Sequence, residues 1–123
     1  MDLCNLKDIK ALLARHGFHF SKSMGQNFLI ESWVPQQIAE ASGAGPGVGV
    51  IEVGPGIGPL TVQLARRADK VAAIELDQRL LPILAETLSD FPNAEVIPGD
   101  VMKLDLRSLA ESHLEGLTPM VCA

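Results

Sequence analysis

The sequence predicts an α/β fold: a parallel sheet with helices on both faces. Three observations predict it. Short apolar runs alternate with helical patterns from Val48 onward, the first run passes directly into Gly54-Pro55-Gly56-Ile57-Gly58, and the second run ends on the acidic residue Glu75. A chain of 123 residues that is 47% hydrophobic can bury one core, yet is short for a whole doubly wound enzyme.

The elements follow in order. Leu6 to His16 reads as an amphipathic helix at the periphery, with Leu6, Ile9 and Leu13 on one face, Asn5 and Asp8 spaced as cap and N3 partner, and Gly17 as the stop. A polar loop from Phe18 to Gly25 leads to Gln26-Asn27-Phe28-Leu29. A second helix is expected from Ser32 to Ser42, with Trp33, Ile38 and Ala41 facing inward and Pro35 in its first turn. Gly43 to Gly47 then breaks the chain as a connector.

The strand Val48 to Val53 precedes a helix from Pro59 to Arg67, a strand from Val71 to Glu75 and a helix from Gln78 to Leu88 that Pro82 should bend slightly or shorten in its regular part. A strand from Glu95 to Ile97, a helix around Leu109 to Leu114 and an apolar start at Met120 to Ala123 complete the pattern. The expected division is residues 1–47 as N-terminal helices and covering loop, and residues 48–123 as the first half of the sheet domain.

Bulk properties narrow the function. A net charge of −5, with ten Lys and Arg spread along the chain, makes no dense basic patch, so any contact with nucleic acid must be local. Cys4 and Cys122 have neither zinc-ligand nor disulfide-framework spacing and read as reduced thiols, and no metal site is expected. No secretion signal or membrane-spanning run is read, which makes the cytoplasm the expected location.

Ligands of open parallel sheets sit beyond the carboxyl ends of the strands, so those ends carry the functional reading. At the first, Gly54 permits a tight turn, Gly56 leaves room for a ligand and Gly58 lets the following helix sit close. A dinucleotide fingerprint would need a glycine where Pro59 stands. The spacing Glu52-x-Gly54-x-Gly56-x-Gly58 instead favours S-adenosylmethionine. Glu75 stands near the interval at which a carboxylate accepts from both ribose hydroxyls, while Asp77 reads as the cap of the next helix. Asp100, after Gly99, can accept from the exocyclic amine of adenine, and Val101 can lie against the base. Together these groups specify an adenosine across three strand ends.

These residues resemble the ribosomal RNA adenine dimethyltransferases, most closely the bacterial type that modifies small-subunit RNA. The resemblance runs through Ser23-Met24-Gly25-Gln26-Asn27-Phe28-Leu29, Ile51 to Thr61, Glu75-Leu76-Asp77 and Gly99-Asp100. It implies a Rossmann-like S-adenosylmethionine-dependent methyltransferase fold. The implied cofactor contacts are Gln26, Asn27, Leu29, Gly54, Gly56, Glu75, Leu76, Asp100 and Val101, with Gln26 to Leu29 closing over the methionine end. The helix before that segment favours the small-subunit type over the antibiotic-resistance enzymes of large-subunit (23S) RNA, which share the motifs.

The resemblance further implies dimethylation of adenine N6 in 16S ribosomal RNA of an immature small subunit, after the base leaves its stack. Positioning dominates such a transfer, and no general base is sought. The family's Asn-Leu-Pro-Tyr motif, expected just after Ala123, places no catalytic residue within the chain. The rest of the sheet and a helical domain are expected beyond it, and the chain alone is expected to be inactive and to associate with itself through its outer strand edge. The loop near Lys22 is less basic than the family pattern, and His16 and His19 read as surface or packing residues. Two other classes remain: a non-catalytic cofactor-binding module, and a nicotinamide-dependent dehydrogenase, disfavoured by Pro59 and Gly99-Asp100.

Overall fold

The computed structural model describes residues 1–18 and 31–123. Four strands form one parallel sheet of order β3-β2-β1-β4: β1 Val48–Val53, β2 Lys70–Glu75, β3 Ala94–Pro98 and β4 Thr118–Cys122. Parallel neighbours need crossovers, and helices supply them. Helix α3 (Pro59–Arg67) joins β1 to β2, α4 (Leu81–Thr87) joins β2 to β3, and α5 (Leu106–His113) carries the chain back past both central strands to β4. Before the sheet come α1 (Leu6–Arg15) and α2 (Trp33–Ser42).

Alternation along the strands divides the core between the two faces. Val50 and Val71 pack with Leu64, Ala65 and Ala68 on the α3 face. Ile51, Ala72 and Ile74 pack with Leu114 on the α5 face. Gly49 permits the latter approach, since a Cβ there would lie 2.9 Å from Leu114 Cβ. The central strands are buried on both faces, whereas β3 and β4 are partly exposed edges. Pro98 and Pro119 stand on those edges, where a missing N–H is tolerated.

Several expected boundaries and faces move, each for a local reason. Helix α1 is not peripheral: Ile9, Leu12 and Leu13 enter a buried cluster with Leu80, Ile83, Leu84 and Leu88. Each such burial is worth about 1.5–3 kcal/mol. Leu6 is 42% exposed instead. The Asn5 side chain does accept from Asp8 N, at 3.2 Å, and Gly17 follows the helix at φ +79°. In α2 the buried line is Pro35 and Ala39, while Trp33, Ile38 and Ala41 face outward. The small Ala39 packs among Leu64, Ala65 and Ala68, so volume rather than hydrophobicity selects the inward face.

Pro82 shortens the regular helix rather than bending it. A 3-10 turn, Gln78–Leu80, precedes α4 and leaves Pro82 in the first α-helical turn, where its N–H is not needed. Helix α5 begins three residues before the expected Leu109, because the Asp105 side chain accepts from Arg107 N and Ser108 N. Strand β4 begins at Thr118, whose N–H donates to Gly47 O at 2.8 Å, rather than at Met120.

Candidate functional site

The glycine loop leaves β1 at the carboxyl edge of the sheet. Gly54, Gly56 and Gly58 adopt φ of +72°, +62° and +105°, a region that side chains disfavour. Gly54 N donates to Ile74 O at 3.0 Å, which ties the strand end to β2, and apart from its chain neighbours no atom of the described residues lies within 4 Å of where its Cβ would stand. None of the described residues fills that side of the loop.

Gly58 serves a different neighbour from the one expected. A Cβ there would meet Thr87 Oγ1 at 3.1 Å and Leu84 Cδ2 at 3.5 Å, so this glycine accommodates α4. Its own helix, α3, begins at Pro59 with Gly58 as the left-handed N-cap.

Glu75, at the end of β2, is 7% exposed. Its Oε1 accepts from Gly56 N at 3.3 Å and its Oε2 from Asp77 N at 2.9 Å. Its backbone oxygen accepts from Gly99 N at 3.0 Å. One residue therefore links the glycine loop, its own strand end and the end of β3. Each carboxylate oxygen retains a lone pair for a further donor.

Asp77 caps the next turn, accepting from Arg79 N at 3.0 Å. The paired Arg79 guanidinium holds the Asp77 carboxyl below its ordinary range. Asp100 is a turn former as well as a site candidate: Oδ1 accepts from Met102 N at 2.9 Å, opening the 3-10 turn Val101–Lys103. Oδ2 has no partner among the described residues. Leu76 is 67% exposed on the same rim, and Val101 packs partly against the α5-face core. Gln26, Asn27 and Leu29 lie outside the described residues.

A further acidic residue lies beneath the loop. Glu52 is 2% exposed on β1, and Oε1 accepts from the Thr61 hydroxyl of α3. Burial pushes its carboxyl up to about 7; the Thr61 hydrogen bond opposes the shift and the nearby Glu75 charge adds to it. The signal was an ionisable residue inside Val-Gly-Val-Ile-Glu-Val, an otherwise apolar run. On the neighbouring β4, burial and then the Glu52 charge raise the Cys122 thiol.

Cys4 and Cys122 are unbridged. Among the described residues, no group of three or more His, Cys, Asp or Glu is placed to hold a metal ion, and no helix is long and apolar enough to cross a membrane.

The sheet order reverses between β1 and β4, and the glycine loop opens at the strand ends beside that reversal. This arrangement is a Rossmann-like sheet, the fold shared by the methyltransferases it superposes on. The chain belongs to the ribosomal RNA adenine dimethylase family, whose model matches residues 17–122. A ribosomal RNA small subunit methyltransferase A of Geobacillus thermodenitrificans is 54% identical over 115 residues, which cover 93% of this chain and 39% of that protein. The chain thus spans about two fifths of that relative's length.

Among solved structures, the 23S rRNA methyltransferase ErmE superposes with a TM-score of 0.61 at 34% identity, over 76% of this chain and 45% of that one. A dimethyladenosine transferase from Plasmodium falciparum gives a TM-score of 0.56 at 30% identity, over 61% of this chain and 28% of that one.

Proposed function

We propose that this chain forms the S-adenosylmethionine seat of an enzyme that dimethylates adenine N6 in small-subunit ribosomal RNA. The observation that carries the reading is the placement of Glu75, which holds the glycine loop and the third strand end together while keeping its carboxylate at their junction. The fit is chemical. An open glycine edge admits close backbone approach, a buried carboxylate suits a pair of hydroxyls, and the second oxygen of Asp100 suits an amine.

Bound at this edge, S-adenosylmethionine supplies an electrophilic methyl group on a sulfonium. This chain's residues orient it. Glu75 would hold the ribose, Asp100 the adenine amine, and Leu76 with Val101 the faces of the base. Gly54 and Gly56 would give the remainder room, and Gln26, Asn27 and Leu29 would close over the methionine end. In this reading residues 1–47 cover the cofactor and residues 48–123 seat it.

The small-subunit substrate is supported by the name of the 54% identical relative, and dimethylation of an adenine by the family description. An immature small subunit in the cytoplasm, as a step in ribosome biogenesis, belongs to the same proposal. So does pairing of the exposed β4 edge, where Val121 is 56% exposed, with a second copy of the 123-residue chain.

Calorimetric titration of the chain with S-adenosylmethionine, S-adenosylhomocysteine and NAD tests the cofactor. The two sulfur compounds are expected to bind and NAD is not. NAD binding as tightly as S-adenosylmethionine would overturn the assignment. Labelled-methyl transfer by the family protein that contains this chain, compared on small-subunit and large-subunit RNA, tests the substrate.

A further inference from the structure

The family match begins at residue 17, after α1 ends at Arg15. Yet α1 is packed into the same buried cluster as the glycine loop. Ile57, the loop residue between Gly56 and Gly58, is 1% exposed and clusters with Ile9, Leu12 and Leu13 of α1 and with Leu80, Ile83 and Leu84 around α4.

A polar tie reinforces the packing. At the carboxyl end of α1, Arg15 donates to Glu86 Oε2, and His16 Nε2 lies 3.0 Å from Glu86 Oε1. The next residue, Thr87, is the side chain that a Cβ on Gly58 would meet. The end of α4 therefore grips α1 with one residue and abuts the glycine loop with the next.

We infer that α1 is a positioning element of the cofactor site, with Leu12 and Glu86 as positioning residues that fix the glycine loop through Ile57 and the end of α4. This rests on the reading of the loop as a cofactor seat. The ion pair is half exposed and would contribute little by itself, so the apolar cluster carries most of the restraint and Glu86 sets the helix end in register. Loosening α1 would let the loop sample conformations in which Gly56 N no longer meets Glu75, reducing the population that can take the ligand.

The test compares three variants of the chain: Leu12→Ala, Glu86→Gln, and Leu114→Ala as a cavity of similar size on the opposite sheet face. Amide hydrogen exchange at Gly56 and Gly58 is measured without ligand, and affinity for S-adenosylhomocysteine is measured by calorimetry and corrected for the folded fraction. Leu12→Ala is expected to speed exchange at both glycines about tenfold more than Leu114→Ala does, and to weaken binding by a similar factor. Glu86→Gln is expected to act in the same direction by about threefold.

Equal effects of Leu12→Ala and Leu114→Ala on the glycine amides would overturn the inference. Should Leu12→Ala not fold, unchanged loop exchange in Glu86→Gln would overturn it. Absence of ligand binding by the wild-type chain, with the exchange contrast intact, would refute the cofactor reading and leave the mechanical coupling standing.

Discussion

The Thr61 hydroxyl donates to the buried Glu52 carboxyl, fastening the first turn of α3 to the strand that launches the glycine loop. No buried side-chain nitrogen or oxygen among the described residues lacks a partner, so the pair is satisfied as it stands. Thr61→Val removes the donor while keeping the shape. It is expected to cost about 1–3 kcal/mol in denaturant unfolding, and Thr61→Ser is expected to recover most of that loss. Equal stability of the Val and Ser variants would remove the bond from the account.

The same carboxyl makes stability depend on pH. Its value is raised from an ordinary 4.5 to about 7 in the fold, so the folded state holds the proton more tightly than the unfolded one. That contribution is fully present below about pH 4.5 and is lost as pH rises through about 7, a change on the order of 3 kcal/mol. Urea midpoints measured from pH 5 to pH 8 should fall for wild type and flatten for Glu52→Gln. A parallel pH profile in the variant would assign the dependence elsewhere.

Glu75→Ala is expected to weaken S-adenosylmethionine binding by about 1.5–3 kcal/mol through loss of charge-assisted hydrogen bonds. It also leaves Gly56 N and Asp77 N without their acceptor, so part of the loss should appear as reduced stability of the free chain. Asp100→Asn is expected to bind better than Asp100→Ala, because an amide oxygen still accepts. Calorimetry on the three variants checks the order, and unaltered binding by Glu75→Ala would displace it from the site.

Two glycines should fail differently when replaced by alanine. Gly49→Ala presses a methyl against Leu114 Cβ, close to the backbone, and should cost about 1–3 kcal/mol of stability. Gly58→Ala is crowded chiefly by the Thr87 hydroxyl, with Leu84 and Leu88 at ordinary contact distance, but its φ of +105° strains any side-chain-bearing residue by about 1–3 kcal/mol. Thermal unfolding measures both losses. Only Gly58→Ala should also weaken ligand binding beyond what its folded fraction explains.

The sheet was legible because parallel strands buried on both faces read as apolar runs, and the glycine loop because its three positive-φ positions leave few choices of residue. Faces of short helices were harder to read. Trp33 is more hydrophobic than Ala39, yet close packing of α2 against α3 favours the smaller residue. The role of Asp105 was hidden because a cap is recognised only when the helix start is known. At the candidate site, Glu75 and Asp100 announce themselves by standing at strand ends. The pairing of Glu52 with Thr61 and the clustering of Leu12 with Ile57 are tertiary contacts, which spacing along the chain does not encode.

The jump of the chain from β3 back to β4 sets an order of assembly. Strands β1, β2 and β3 pair through short successive crossovers, so that these three can pair once Pro98 has emerged from the ribosome. The pairing of Val48 with Thr118 joins the start of β1 to the start of β4. During synthesis the outer side of β1 stays bare until the ribosome has added the return strand. The reversal point beside the glycine loop is thus defined only when β4 joins β1.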